Sequence, residues 1–479
     1  MAKVLNKEDP PLESSYFHFI FPFSMKEDCA EEAIKYLKQK DYEFFSLKSE
    51  TQEKAYYGGN NKISHKELEH YFLPFTSDVL FPQKEHRLAF RRYSKATGIT
   101  AELNSDVIKV PFTINSIDVF LLPFELGFIT LRVSLKDGIS YSEAIEFAAR
   151  FRVLENRTRD DREAVVDYEN EAYQHVETFI FNALLPDFTS YLDVDKVNGS
   201  HFESLPFFID ERMYVQALFQ FEEGAQLEET DLFRGSQLDG LNDDGQPVIS
   251  SSNKEFIHDY CMSNGYQRWA PNTYYLVDEH VFSCMTNATG VERDNRLDQM
   301  YGEFYYGLLL NLFHKIVLLR LSNQYSRVHL EKDNDETEKL IGEITLFSAR
   351  FFFLELAAQS QGRNIFIKLK EVFQNQELYD DVKQTLSTLY QYQDQKAAKR
   401  NNYLISILTI YTVITGIYGM NMVIDQLKSP IKLSKISSYG FFEYLALFVT
   451  ITGIAASILL GISFAKKWIQ ELRNRNRME

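Results

Sequence analysis

Cysteine is scarce in this chain, and the common catalytic motifs are missing. The 479 residues include three cysteines, Cys29, Cys261 and Cys284, which are too far apart for a disulfide framework or a zinc site. There is no Walker A loop, no glycine-rich dinucleotide fingerprint and no His-Glu-x-x-His pair. We therefore expect a reducing compartment and no enzymatic activity.

Positive charge is scarce over most of the chain. The net charge is −17, but residues 396–479 hold eleven Lys or Arg against four Asp or Glu. Because residues 396–479 have a net charge of +7, residues 1–395 have a net charge of −24. A strongly acidic region lacks the basic face that phosphates require, so we expect no nucleic-acid binding.

Proline is absent between Pro271 and Pro430. Proline breaks helix interiors, so this interval favours long helices. Residues 1–290 differ, because short β-branched or aromatic segments such as 16–23, 129–133 and 214–221 alternate with helix-like ones such as 27–40. We predict an α+β (mixed) fold, with a cytoplasmic α/β soluble domain at residues 1–290 and a helical stalk at residues 291–400.

Two helical predictions concern the proline-free interval. Residues 305–319 are largely apolar, but the run is short and three polar residues interrupt it, which favours a buried core helix over a membrane span. From residue 364 to residue 421 the sequence allows one helix of roughly 85 Å. It also allows two helices with a turn near residues 374–376.

Charge is also absent from residues 401–424 and 444–465. Each segment is long enough to cross the ~30 Å hydrocarbon core of a bilayer. Lys and Arg flank both outer ends, which places the N- and C-termini in the cytoplasm. We predict a two-helix transmembrane hairpin at residues 401–465, with spans at about 402–420 and 443–465, an outer loop at 421–440 and a basic tail at 466–479.

The first span carries a polar stripe. Asn402, Thr409, Thr412 and Gly416 follow one another at spacings of seven, three and four residues, so they share one face of a helix. Small and hydroxyl residues let helices pack closely in membranes. They can also line a water-filled path, which would require an oligomer with the first span innermost. The spacing alone favours packing.

The first span ends in Gly416-Ile417-Tyr418-Gly419-Met420-Asn421, followed by a short loop and an apolar second helix. This order resembles the CorA family of magnesium channels, the two-helix superfamily with a Gly-Met-Asn motif, over about residues 364–479. The resemblance implies a funnel-shaped homopentamer in the inner membrane that passes divalent cations, chiefly Mg²⁺. Gly419, Met420 and an Asn421 ring would form the filter, holding a hydrated cation. Thr412, Thr409, Gly416 and Asn402 would line the path below.

The resemblance also suggests how such a channel is regulated. Asp380 and Asp381 are candidate Mg²⁺ sensors, although a charged pair on a helix is usually a solvated face. Some CorA-like proteins with enlarged cytoplasmic domains accompany type III CRISPR systems and are gated by a nucleotide second messenger. The long soluble region favours that alternative, for which the candidate ligand contacts are Arg91, Arg92, Arg150, Arg152 and Trp269. A non-conducting membrane-anchored binding protein is a third possibility.

Overall fold

The computed structural model describes residues 3–5, 7–57, 63–155, 164–193, 212–327, 334–352 and 360–421, and part of residues 440–462. These residues form a mixed α+β fold with one large sheet, so the predicted fold class is confirmed. The chain divides into two compact units, Met1–Leu386 and Ser387–Glu479. The sheet and most of the helices belong to the first unit.

Thirteen strands are present in the described residues. They are β1 Lys3–Val4, β2 Leu12–Ser24, β3 Glu43–Phe44, β4 Arg91–Asn104, β5 Lys109–Leu122, β6 Leu126–Leu135, β7 Val165–Tyr168, β8 Glu171–Tyr173, β9 Tyr214–Phe221, β10 Val248–Ile249, β11 Gly265–Trp269, β12 Thr273–Val277 and β13 Val281–Thr286. The large sheet has the order β11-β12-β13-β9-β2-β6-β5-β4-β7-β8, with β3 beside β4. β13 and β9 are parallel, and the other pairs of this sheet are antiparallel. β1 and β10 form a separate pair.

The helices of the described residues differ widely in length. They are α1 Ala30–Gln39, α2 Glu50–Ala55, α3 His65–Tyr71, α4 Pro74–Leu80, α5 Tyr141–Phe151, α6 Val176–Thr178, α7 Glu229–Gln237, α8 Lys254–Asn264, α9 Val291–Tyr301, α10 Glu303–Arg327, α11 Asn334–Arg350, α12 Ser360–Val372 and α13 Asn375–Asn421. α6 continues as a π-helix over Phe179–Leu184, and single 3-10 turns lie at Pro123–Glu125 and Phe188–Tyr191.

Strand β2 is buried on both faces. Because side chains alternate along a strand, Phe17 and Phe19 point to one side, where they pack on Phe147 of α5. His18 points to the other side, where its ring lies 4.3 Å from Tyr301 and 4.9 Å from Tyr305, ring centre to ring centre. The sheet is therefore the middle layer, with α5 on one face and the α9–α10 pair on the other.

The predicted core helix at residues 305–319 is confirmed as part of α10. Residues Val291–Ser326 are long and apolar enough to cross a membrane, but 83% of an apolar 18-residue window within them is buried inside the protein. Its polar residues have protein partners: Asn311 Nδ2 donates to Gly307 O at 3.0 Å, and His314 Nε2 lies 2.7 Å from Phe351 O. Partners of this kind suit a helix held among other helices better than one facing lipid.

The proline-free interval after residue 360 contains two helices, as the second of our alternatives proposed. α12 ends at Val372 and α13 begins at Asn375. Between them Gln374 has φ of 55°, the left-handed conformation that stops a helix. No proline or glycine marks this turn, so the sequence pattern alone could not locate it.

Replacing Gln374 by glycine should stabilise the first unit. Glycine adopts positive φ freely, whereas other L-residues lose roughly 1–2 kcal/mol there, so Gln374→Gly should raise the free energy of unfolding by roughly 0.5–1 kcal/mol. Lys383→Gly, inside exposed α13, is the matched control and should lower it by about 1 kcal/mol. Thermal unfolding of the full chain in detergent, followed by circular dichroism, measures both. A lower midpoint for Gln374→Gly would contradict the strain at this turn.

Candidate functional site

Helix α13 extends without interruption to Asn421, the last residue of the predicted filter motif. The side chains of Asn402, Thr409 and Thr412 are exposed on the single chain. Thr409 Oγ1 donates to Ile405 O and Thr412 Oγ1 to Leu408 O, each at 2.7 Å. Gly416, Gly419, Met420 and Asn421 belong to the same helix, but the side chains of residues 413–421 lie outside the described residues. The outer loop and the basic tail also lie outside them.

Large apolar side chains are exposed around the polar stripe and on the segment predicted as the second span. Exposure reaches 71% at Tyr403, 68% at Leu408 and 76% at Phe441. The others in these two segments are Leu404, Ile405, Ile407, Phe442, Tyr444, Leu445, Phe448, Ile451 and Ile462. Soluble monomers rarely expose apolar side chains in such density, so these segments require an apolar partner or a bilayer.

The two segments are joined by a hydrogen bond. Tyr411 Oη of α13 lies 2.9 Å from Thr452 Oγ1, and Thr452 belongs to the helical residues described between 441 and 462. At about 100° per residue, Tyr411 lies roughly 100–180° around α13 from Asn402, Thr409, Thr412 and Gly416. This bond to the second segment therefore comes from the side of α13 away from the polar stripe.

Three of the candidate ligand contacts, Arg150, Arg152 and Trp269, are not brought together. Arg150, on α5, pairs with Glu146 through Nε and with Asp106 through Nη2, each at 2.7 Å. Arg152 ends the same helix, and its carbonyl oxygen accepts from Met213 N at 2.7 Å. Trp269 lies on β11 under the guanidinium of Arg296 from α9, 4.2 Å from the ring centre. Arg150 therefore lies on the face of the sheet that α5 covers, and Trp269 lies on the face that α9 and α10 cover.

The candidate sensors Asp380 and Asp381 are exposed on α13, where Asp380 Oδ1 accepts from Gln376 Nε2 at 3.1 Å. The described residues contain no group of three His, Cys, Asp or Glu side chains able to hold a metal ion. Burial, and then neighbouring carboxylates, raise the pKa of Asp298 to about 7. Burial, and then nearby Asp298 and Glu67, likewise raise the pKa of Glu303 to about 7. Raised pKa values favour the protonated form of these two carboxyls, and a protonated carboxyl is a weak ligand for a divalent cation.

A buried charge cluster lies between the sheet and α10; the sequence analysis named its Arg92 but missed its other two members. We define the arginine cluster as Arg92 of β4, Asp118 of β5 and Arg132 of β6, with side chains that are 2%, 0% and 0% exposed. Asp118 Oδ1 lies 3.1 Å from Arg92 Nη2, and Asp118 Oδ2 lies 2.8 Å from Arg132 Nη1. Single charges inside apolar strands, in Ile117-Asp118-Val119 and Leu131-Arg132-Val133, are the signal that could have revealed it.

Hydroxyl groups and aromatic rings complete the arginine cluster. Ser94 Oγ donates to Asp118 Oδ1 at 2.6 Å and accepts from Arg92 Nε at 2.8 Å. The Arg92 guanidinium lies 3.8 Å from the centre of the Phe45 ring. The Arg132 guanidinium lies 5.1 Å from the Tyr305 ring and 5.4 Å from the Tyr57 ring. Electron-rich ring faces attract these cations most strongly where water is excluded.

Asp118→Asn should destabilise the first unit strongly, because it leaves two buried arginines without their counter-charge. Removing one partner of a buried ion pair costs about 3–5 kcal/mol. The matched control is Glu13→Gln at the exposed Arg293–Glu13 pair, where the 2.8 Å contact should contribute at most about 1 kcal/mol. Urea unfolding in detergent, monitored by near-ultraviolet circular dichroism, compares them. An equal decrease in the free energy of unfolding of the two variants would show that the fold does not depend on the cluster.

This chain has no match among protein-family models, curated proteins or solved structures. The resemblance to CorA channels accordingly depends on residues 416–421 and on the order of the segments around them.

Proposed function

We propose that this chain is the subunit of a CorA-type oligomeric channel that passes divalent cations, Mg²⁺ foremost, through a pore lined by α13. The observation that carries the proposal is the exposure of the described apolar side chains within residues 403–408 and 441–462, beside the exposed side chains of Asn402, Thr409 and Thr412. Burying one Leu, Ile or Phe side chain is worth about 1.5–3 kcal/mol. A bilayer gives these side chains that environment. The proposed location is therefore the inner membrane, with both termini cytoplasmic.

The position of Tyr411 favours an oligomer. Two helices cannot enclose a pore, so a water-filled path requires several subunits with α13 innermost. Because the Tyr411–Thr452 bond comes from the other side of α13, the face with Asn402 and Thr409 is turned away from this contact with the second segment. A face of this kind fits the central axis of a homopentamer, and the pentamer itself is implied by the resemblance.

The chemistry of the stripe suits a hydrated cation. The hydroxyl hydrogen of Thr409 is donated to Ile405 O at 2.7 Å, so the lone pairs of its oxygen point away from that bond. Water molecules around Mg²⁺ present their hydrogens outward and need acceptors of this type. Mg²⁺ dehydrates reluctantly, so a path of hydroxyl and amide oxygens can guide the ion without removing its water shell. In the proposal, Asn421 places an amide oxygen ring at the outer end.

Flux into proteoliposomes tests the proposed function. Purified protein should conduct Mg²⁺, and varying Mg²⁺ or adding nucleotides on the cytoplasmic side identifies the gating ligand. Flux that requires a nucleotide would favour the messenger-gated alternative with the same pore. A folded oligomer without flux under any of these conditions would instead support the non-conducting membrane-anchored protein.

Asn421→Ala should change the ratio of Mg²⁺ to Na⁺ flux without dissolving the oligomer, because it removes the amide oxygen proposed to hold the hydrated ion. Gln391→Ala, on exposed α13 before the proposed span, is the control and should leave the ratio unchanged. Size-exclusion chromatography with light scattering checks the subunit number of both. An unchanged flux ratio for Asn421→Ala would remove Asn421 from the filter.

Thr409→Val should reduce Mg²⁺ flux several-fold, because it replaces an oxygen of the proposed path with a methyl group of similar size. Tyr411→Phe removes the hydrogen bond to Thr452 on the other side of α13 and should leave flux within about twofold. If the stripe only packs subunits together, Thr409→Val will weaken the oligomer in detergent while flux per oligomer stays constant. Flux per reconstituted oligomer therefore decides between a conducting and a packing stripe.

A further inference from the structure

The arginine cluster does not balance its own charge. Arg92 and Arg132 each carry one positive charge, whereas Asp118 provides one negative charge. All three side chains are at most 2% exposed, so water cannot screen the excess. A buried charge without a counter-charge is costly, and proteins normally pair such charges.

Among the residues that the structure describes, Asp118 is the carboxylate that pairs with Arg92 and Arg132, and the side chains beside Arg132 add no further negative charge. His18 Nδ1 lies 2.8 Å from Gln216 Oε1, and Gln216 Nε2 donates to Met300 O at 2.9 Å. The amide therefore presents its oxygen to His18, whose Nδ1 carries the proton and whose Nε2 is an acceptor. Burial, followed by the charge of Arg132, lowers the pKa of His18 well below its ordinary value. The histidine therefore supplies no negative charge to the cluster.

Several polar atoms around Arg132 lack a hydrogen-bond partner among the described residues. They are Nε and Nη2 of Arg132, Nε2 of His18 and the hydroxyl of Tyr301. The Tyr301 ring lies 4.3 Å from the His18 ring and 5.8 Å from the Arg132 guanidinium. The two Arg132 donors form one edge of a planar guanidinium, the edge that binds an oxyanion through two parallel hydrogen bonds.

Two simpler arrangements account for only part of these features. The rings of Tyr57, Tyr301 and Tyr305 attract the Arg132 cation, but they accept no hydrogen bond from the in-plane Nε and Nη2 groups. A buried water molecule could accept those bonds, but it would leave the excess charge in place. An oxyanion accepts from the two Arg132 donors and balances the charge together, whereas His18 Nε2, itself an acceptor, is not one of its partners.

We propose that the arginine cluster binds an oxyanion of the phosphate class at the free edge of Arg132, between strand β6 and helices α9 and α10. The Tyr301 hydroxyl donates to the same ligand. Tyr57, at the end of α2, covers the site, and its hydroxyl lies 2.9 Å from His65 Nε2 of α3. Of the candidate ligand contacts, Arg92 belongs to the arginine cluster, whereas Arg150, Arg152 and Trp269 lie outside it.

The test uses the full chain in detergent and needs no ion flux. Protein purified in phosphate-free chloride buffer is denatured, and any released phosphate or phosphorylated compound is quantified by ion chromatography and mass spectrometry. Thermal unfolding is then measured with added inorganic phosphate, with AMP, and with sodium chloride at matched ionic strength. We expect either about one bound oxyanion per chain or a higher midpoint with one of the two phosphate probes. A response to AMP alone identifies a phosphorylated organic ligand, and a response to both probes identifies the free anion.

Two variants decide whether Arg132 holds the anion. Arg132→Lys keeps the charge but loses the two-donor edge, so it should weaken binding roughly tenfold or more. Tyr301→Phe removes one hydroxyl, keeps the ring, and should weaken binding several-fold even if Arg132→Lys does not fold. Arg293→Lys, at the exposed pair with Glu13, is the matched control and should bind as the original chain does. No released anion together with no phosphate or AMP response, or equal responses in all variants, would overturn the site.

Discussion

The ion pairs of Asp118 are the interaction on which the centre of this fold depends. Asp118 lies on β5, and its two oxygens meet Arg92 of β4 and Arg132 of β6, so one carboxylate joins three adjacent strands. Tyrosines of α10 cover these charges: the Tyr306 hydroxyl accepts from Arg92 Nη1, and the Tyr305 hydroxyl donates to Thr130 Oγ1 at 2.8 Å. The same contacts fix where α10 lies on the sheet. A hydrophobic face alone would allow α10 to slide, whereas paired buried groups allow few positions.

The sequence predicted the fold class because strand and helix periods are local properties. The segments 16–23, 129–133 and 214–221 are β-strands in the structure, and the core helix at 305–319 is part of α10. The order of the strands could not be predicted from local patterns, because pairs such as β2 with β9 join residues about two hundred positions apart. The turn at Gln374 was equally hidden, since its positive φ occurs at a residue that does not favour it.

The candidate site, like the fold, could be predicted from the sequence only in part. Absence of charge predicted the two apolar segments, and helical spacing predicted which residues of α13 share a face. Spacing cannot say what that face meets, because packing and pore lining use the same small and hydroxyl residues. The Tyr411–Thr452 bond adds that the opposite side of α13 contacts the second segment. Asp118 and Arg132 were missed for the opposite reason: isolated charges in apolar strands have no periodicity.

The arginine cluster and the start of α13 belong to one connected set of contacts. α10 carries Tyr305 and Tyr306 at the cluster and, a turn and a half later, Asn311, whose backbone and side-chain oxygens each accept from Asn375 Nδ2 at 3.1 Å. Asn375 is the first residue of α13, the helix that bears the polar stripe. Contact alone does not transmit a signal; a ligand acts on a distant helix only if it binds two arrangements of the protein with different affinity. Here the two arrangements would differ in the position of α10 on the sheet. An anion at Arg132 can bias that position because it neutralises the charge that the α10 tyrosines cover.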